Sequence, residues 1–324
     1  MIITRTPFRV SFAGGGSDLK EYYRHYGGSV LSVSIDKYVY LSMHPYFYEN
    51  RFFLKYSEIE YVERLEDIRH KIIRQVLSDY DIQGIDFNSS ADIPSGTGLG
   101  SSSAFTAGLA TLCNAYKGIY MGKEEIAKYA CEVEIDKLHE PIGKQDQYAC
   151  AVGGLNFISF HQNDRVEVEK ILLPGEKLEQ LEGNLMMFYL GGTRSASKIL
   201  SEQKANTISN KKIENLHKMV ALSRELRDEL QAGNIDAMGE ILHRGWMYKK
   251  ELASGISNEK IDHYYAKAME SGAAGGKLLG AGGSGFLLFY VPEERHKEVR
   301  DALSDLKELP FRFDEEGTKV IYYN

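Results

Sequence analysis

The sequence predicts an α+β fold, and three observations carry that prediction. Segments of strand period or strand length at 31–43, 185–190 and 285–291 are mixed with segments of helical period at 101–117, 123–138, 212–231 and 235–252. That order suits helices lying on one face of an antiparallel sheet. At 324 residues the chain is long enough for two domains, and the polar stretch 161–183, with Pro174-Gly175, is the expected connection between them. The expected spans are 1–180 and 181–324.

Taken in order, residues 7–12 read as a strand running into Gly14-Gly15-Gly16. Between Leu31 and Met43 the odd positions Leu31, Val33, Ile35, Val39, Leu41 and Met43 are apolar. A period of two marks a strand pair or one long bent strand, with Asp36-Lys37 at its middle. Ile59, Val62, Leu65, Ile68, Ile72 and Val76 keep a three-to-four spacing, so 59–80 is expected to be helical. Leu185 to Leu190 is an apolar run of strand length closed by Gly191-Gly192. Helices at 212–231, 235–252 and 258–271 follow, then a strand at 285–291, a helix at 293–306 and a last strand at 319–323.

Composition narrows the function classes. The chain is 43% hydrophobic and 26% charged, a balance that supports a buried core. A formal net charge of −7 argues against a general affinity for nucleic acid or an anionic membrane. Cys113, Cys131 and Cys150 are an odd set without metal-ligand spacing, and they predict reduced thiols. The nine histidines lack zinc spacing. Neither a signal peptide nor a membrane-spanning stretch is expected, which predicts a cytoplasmic protein.

The segment Pro94-Ser95-Gly96-Thr97-Gly98-Leu99-Gly100-Ser101-Ser102-Ser103-Ala104 is the most informative. Glycines at alternate positions allow positive φ and close approach of a ligand. Their amides can converge into an anion-binding nest, and a helix starting at Ser101 adds its unpaired N–H groups and positive dipole end. The three serines offer hydroxyls to phosphate oxygens or to magnesium. The competing reading is a flexible Gly/Ser loop before a capped helix. No Gly-Lys-Ser/Thr follows, and Ser101 stands where a dinucleotide motif needs its last glycine, so neither of those phosphate motifs applies.

Two further segments change that weighing. Pro7-Phe8-Arg9-Val10-Ser11-Phe12-Ala13-Gly14-Gly15-Gly16-Ser17-Asp18 lies near the N-terminus, and Lys277-Leu278-Leu279-Gly280-Ala281-Gly282-Gly283-Ser284-Gly285-Phe286 near the C-terminus. With 94–104 between them, they resemble the three signature motifs of the GHMP kinase superfamily, in order and across the whole chain. The resemblance implies a ribosomal-protein-S5-like N-terminal domain and a ferredoxin-like C-terminal domain with the active site between them. It implies ATP as phosphoryl donor, gripped by Pro94, Gly96, Thr97, Gly98, Leu99, Gly100, Ser101, Ser102 and Ser103. Galactokinase carries Gly-Glu-His-x-Asp where this chain has Gly14-Gly15-Gly16-Ser17-Asp18, a departure that speaks against galactose. The first motif, followed by Tyr22-Tyr23, is most similar to the branch that phosphorylates D-glycero-D-manno-heptose 7-phosphate. For that branch the implied product is the 1,7-bisphosphate, on the way to a GDP-activated heptose for bacterial surface glycans.

The same resemblance assigns residues. Asp146, in Gly143-Lys144-Gln145-Asp146-Gln147-Tyr148, matches the catalytic aspartate, which would accept the sugar hydroxyl's proton. Arg9 matches a basic residue that would steady developing charge; alternatively it is a strand-surface arginine. Asp18, with Gly15, Gly16 and Ser17, would bind sugar hydroxyls, or Asp18 would cap a helix over 19–26. Gly282 and Gly283 would shape the site from the opposite domain. The family pattern points to Ser102 and Glu134 for Mg2+, with Ser101, Glu132 and Asp136 as competitors. A cradle for the sugar's own phosphate is read in Gly191-Gly192-Thr193-Arg194-Ser195-Ala196-Ser197-Lys198, centred on Arg194, or else the segment is a plain capped helix start. The expected partners are ATP and a small sugar phosphate, without nucleic acid or membrane. The oligomeric state is left open, a homodimer included. Rival functions are a kinase for another sugar such as L-fucose, an inactive binding protein of the same fold, and the decarboxylase chemistry of some superfamily relatives.

Overall fold

The computed structural model describes residues 1–48, 50–192, 197–208 and 212–324. The first part of the chain runs β1 (Ile2–Ala13), α1 (Lys20–Tyr26), β2 (Gly28–Pro45), β3 (Phe52–Lys55), β4 (Ile59–Val62), α2 (Lys71–Asp79), β5 (Ile85–Ala91), α3 (Ser101–Lys117), α4 (Lys123–Cys131) and α5 (Gln145–Val152). A π-helical turn, Glu132–Lys137, extends α4. Then come β6 (Leu155–Phe160), β7 (Val166–Lys170), α6 (Gly175–Gly183), β8 (Leu185–Gly191), α7 (Ser197–Ile208), α8 (Ile213–Gln231), α9 (Ala237–Lys250), α10 (Glu259–Glu270), β9 (Gly275–Leu278), β10 (Gly285–Tyr290), α11 (His296–Ala302), β11 (Lys307–Glu308) and β12 (Lys319–Tyr323).

The strands form two sheets, one of eight strands with the path β12-β1-β2-β5-β3-β4, to which β6 and β7 attach through β2, and one of four in the order β11-β8-β10-β9. Pairing is antiparallel except between β3 and β5. The alternating segment 31–43 lies within one long strand. Its partner slips from Tyr38 opposite Pro7 to Ile35 opposite Phe8, so Asp36-Lys37 form the bulge at which β2 bends. Before the bend β2 pairs with β6, and after it with β5.

The apolar run in β8 is continuous because both faces of the small sheet are covered. Met187 of β8 and Leu288 of β10 join the core under the large sheet, while Met186, Phe188, Leu287 and Phe289 pack with Trp246 of α9 and Tyr265 of α10. A strand buried on both faces has no polar side to alternate with. Helix α8 ties the layers together, with Leu222, Leu226 and Leu230 in the larger core and the Ser223 hydroxyl 2.8 Å from that of Ser29 in β2.

Three expectations need correction. The helix expected over 59–80 begins only at Lys71, since Ile59 and Tyr61 are exposed while Glu60 between them is 3% exposed, a period of two. The buried Glu60 carboxylate accepts from the Tyr56 hydroxyl at 2.6 Å and from the amides of Arg69 and His70, which fixes the hairpin against the start of α2. The stretch 161–183, expected as a connection, contains β7 and α6. At the end of the chain β12 returns to the large sheet and pairs with β1. The helix expected at 293–306 is a 3₁₀ turn followed by α11, ending at Ala302.

Candidate active site

A cleft of about 1070 Å³ runs between the two sheets' domains, and all three glycine motifs border it. Gly96, Gly98 and Gly100 have φ of +75°, +88° and +77°, as their alternation predicts, and Gly100 is the left-handed residue from which α3 starts. The free N–H groups at the head of this 17-residue helix face the Gly/Ser turn. Ser102 is exposed and Ser103 buried. An aromatic end of the cleft, with Tyr56, His70 and Phe105, lies past Pro94; the sequence offered no reading of this part. Burial lowers the pKa of His70, so a neutral ring is favoured there.

The Gly98 turn is held by the first motif. Arg9, 4% exposed in β1, donates from Nη1 to the Gly98 carbonyl at 2.7 Å. From Nε and Nη2 it donates to both carboxylate oxygens of Asp146, at 2.8 and 2.7 Å. A paired fork of this kind fixes the carboxylate in plane as well as in position. Burial disfavours the Arg9 cation, but Asp146 outweighs it and the guanidinium is held above its ordinary range. Arg9 is therefore no surface arginine. Asp146 itself is in the first turn of α5, on a helix rather than a loop, with 30% of its side chain still open to the cleft.

Glu134 lies in the π-helical turn, fully buried. It accepts from the hydroxyls of Ser102 at 2.6 Å and Ser103 at 2.8 Å, and from the Gln147 amide at 2.7 Å. Burial raises its pKa against the pull of these hydrogen bonds, and Asp146 raises it further. Ser102 and Glu134 are thus brought together, while Ser101 instead meets the Gly96 amide at 3.4 Å. Among the described residues no three His, Cys, Asp or Glu side chains converge to hold a metal. The donor set at Glu134 nevertheless suits a hard cation that keeps several waters. It offers one carboxylate and one exposed hydroxyl, and among the described residues no Lys or Arg forms an ion pair with that carboxylate.

Asp18 does not cap the helix that follows it, whose N-cap position is Leu19. Its oxygens accept from the amides of Gly16 at 2.9 Å and Gln145 at 3.1 Å, which ties the first glycine turn to the head of α5. Burial, then the nearby Asp146, raises its pKa. Gly15 and Gly16 line the cleft beside it, while the buried Ser17 turns its hydroxyl to the Ser29 carbonyl at 3.1 Å, away from the cleft. The third motif closes against the second. A Cβ on Gly280 would come 2.3 Å from the Gly98 Cα, and one on Gly285 2.4 Å from the Thr97 carbonyl oxygen. Gly282 borders the cleft, and the Gly283 amide is spent on the Ile256 carbonyl at 2.9 Å. Arg194 lies outside the described residues.

The sequence reading missed Gln203, Lys249 and Lys277, all on the cleft wall. Lys249 donates to the carbonyls of Leu278 and Gly280, and Lys277 to that of Phe12 at 2.9 Å. Burial, then Arg9, lowers the Lys249 pKa to about 8, and burial, then Lys249 and Arg9, pushes that of Lys277 well down. A signal was present: Leu242, Trp246 and Lys249 follow the buried stripe of α9, where a lysine is out of place. Among the described residues no helix is long and apolar enough to cross a membrane, and all three cysteines are buried and free.

Known proteins resemble this chain along most of its length. Residues 65–154 match the family described as GHMP kinases N terminal domain, and 226–309 the one described as GHMP kinases C terminal. The D-glycero-alpha-D-manno-heptose 7-phosphate kinase of Campylobacter jejuni is 30% identical over 98% of both chains. The galactokinase of Pyrococcus furiosus is 25% identical over 93% of this chain and 92% of its own. The crystal structure of a D-glycero-D-manno-heptose 1-phosphate kinase from Bacteroides thetaiotaomicron superimposes with a TM-score of 0.81 at 25% identity, covering 100% of each chain.

Proposed function

The chain belongs to the GHMP kinase family, a family of phosphotransferases with this two-domain fold, and from that premise we propose that it transfers the γ-phosphoryl group of ATP to the anomeric hydroxyl of D-glycero-D-manno-heptose 7-phosphate. The observation that carries the reading is the Arg9–Asp146 pair, anchored to the Gly98 turn beside the head of α3. In this reading the turn holds the phosphate, and Arg9 bridges that turn to the carboxylate that is to meet the sugar hydroxyl. Choice of sugar rests on the full-length match to the heptose 7-phosphate kinase and on the first motif.

The chain's own groups do most of the work in this reading. Amides of 96–100 and of the first turn of α3 take the nucleotide's phosphate oxygens. The acceptor hydroxyl donates to Asp146, whose orientation Arg9 fixes, and its proton passes to that carboxylate as the oxygen–phosphorus bond forms. ADP leaves with the electron pair of the broken bond. Magnesium, held by Glu134 and Ser102, would neutralise charge on the phosphates.

The test is to supply ATP with a panel of phosphorylated and free sugars and to record the product by phosphorus and proton NMR. A new phosphorus signal coupled to the anomeric proton of heptose 7-phosphate is expected. Because the superimposable structure is named a heptose 1-phosphate kinase, that sugar belongs in the panel: preferential phosphorylation of it, or of L-fucose, would replace the acceptor named above. Absence of ADP release with every sugar would sink the catalytic reading.

A further inference from the structure

We propose that Lys249 is a catalytic residue of the proposed transfer, a cation that contacts the phosphoryl group while it passes from nucleotide to acceptor. This rests on the reading above and adds to it a residue from the opposite domain. Three placements converge. Lys249 lines the same cleft as Arg9 and Asp146. Its ammonium is tied to the carbonyls of Leu278 and Gly280, in the turn that packs on Gly98. Gly98 is in turn the residue whose carbonyl Arg9 grips. Lys249 is therefore fixed where the glycine-serine turn and Asp146 meet, rather than at the far end of the cleft.

Its partners point the same way. Among the described residues neither Lys249 nor Lys277 has a carboxylate within ion-pair distance, whereas Arg9 spends its charge on Asp146. Carbonyl oxygens satisfy an ammonium's donors without neutralising it, and a cation left so in a partly buried wall favours arrival of an anion. Lys277 is 5% exposed and is bonded to the backbone of the first motif, so it serves to strap the two domains, while Lys249 retains exposure to the cleft. In the transfer the acceptor oxygen bonds to the γ-phosphorus, its proton goes to Asp146, and the bond to the leaving oxygen breaks with its electron pair going to ADP. Lys249 keeps its proton throughout and faces the charge on the equatorial oxygens.

The experiment compares Lys249→Met, Lys249→Arg and wild type in steady-state kinetics from pH 6 to 10. Lys249→Met should lose roughly 10²–10³ in kcat, the effect of removing one preorganised group from a developing charge, with both KM values little changed. The wild-type kcat/KM should fall as pH rises through about 8, because the required cation is lost there. Lys249→Arg should keep partial turnover and lose that alkaline limb, since a guanidinium stays charged. A purely structural role would leave the limb in place. Near wild-type kcat in Lys249→Met overturns the proposal, and so does a loss confined to KM for the sugar phosphate, which would put the acceptor's own phosphate there. If Lys249→Met shows no folding transition, the displaced or unmoved limb in Lys249→Arg decides. A wild type inactive on every sugar would instead condemn the underlying kinase reading, a result distinct from an active wild type matched by Lys249→Met.

Discussion

At the glycine-serine end of the cleft one continuous stretch, 94–105, supplies the turn, the helix head and the hydroxyls. The Asp146 end draws Arg9 from β1, Asp18 from the turn after it, Asp146 from α5, Gln203 from α7, Lys249 from α9 and Lys277 from β9. An anion nest is a local property of backbone conformation, and one short segment can encode it. An acid–base centre needs charges brought together from elements that only the fold makes neighbours. On the proposed assignment, damage at the two ends should differ accordingly: loss of chemistry at the Asp146 end, graded loss of nucleotide and metal binding at the other.

The largest effect is expected at Asp146. Asp146→Asn should lower turnover by ~10²–10⁴ if general-base help is the main loss. It also leaves the buried Arg9 cation without its counter-charge. Removing one partner of a buried pair costs up to about 3–5 kcal/mol, and the open side of Asp146 places this case toward the low end. The double variant Arg9→Met/Asp146→Asn should recover stability in urea denaturation while ADP release stays low. Recovery of turnover together with stability would reduce the pair to a structural tie.

Next comes the joint between the ends. Gly280 has φ +73°, and a Cβ there would stand 2.3 Å from the Gly98 Cα. Gly280→Ala should lose ~1–2 kcal/mol to conformation and ~1–3 kcal/mol to overlap, and it should displace the Gly98 carbonyl that Arg9 holds. Both stability and kcat/KM should fall. If only stability moves, the joint does not position the glycine-serine turn. A smaller change is expected for Ser102→Ala, which leaves Ser103 and Gln147 on Glu134. The Mg2+ concentration for half-maximal rate should rise roughly fivefold, the equivalent of about 1 kcal/mol for one hydroxyl. KM for the sugar should not change.

What could be read in advance follows the same division. The positive φ at 96, 98 and 100 and the helix from Ser101 were legible because glycine spacing and an apolar stripe are local signals. Strand β9 was not legible. Its Gly275 and Gly276 argue against a strand by propensity, yet they are needed because a Cβ on Gly275 would strike the Gly239 carbonyl of α9 at 1.8 Å and one on Gly276 the Phe289 ring at 2.4 Å. Ile59 and Val62 satisfied helical spacing with residues that belong to a hairpin, since an interval of three also fits a short strand whose ends face different ways. Asp18 shows the limit at the site. The sequence offered a sugar ligand or a helix cap, and the side chain is found bridging two backbone amides, a tie to α5 that no local pattern encodes.

The smallest effect tests whether glycine in this part of the chain is needed for backbone conformation alone. Gly118 closes the same helix whose head is Gly100; its φ is +67°, and a Cβ there would meet nothing within 4 Å. At Gly100 a Cβ would crowd the Arg9 side chain at 3.1 Å and Cys150 at 3.3 Å. Gly118→Ala should therefore cost only ~1–2 kcal/mol, the penalty of a left-handed alanine, with kcat and both KM values unchanged. Gly100→Ala should add a loss of turnover, because Arg9 must yield and Asp146 moves with it. Equal kinetics in the two variants, measured beside their denaturation midpoints, would mean that Arg9 can shift a few tenths of an ångström without consequence, and the close coupling of the glycine turn to the carboxylate would have to be abandoned.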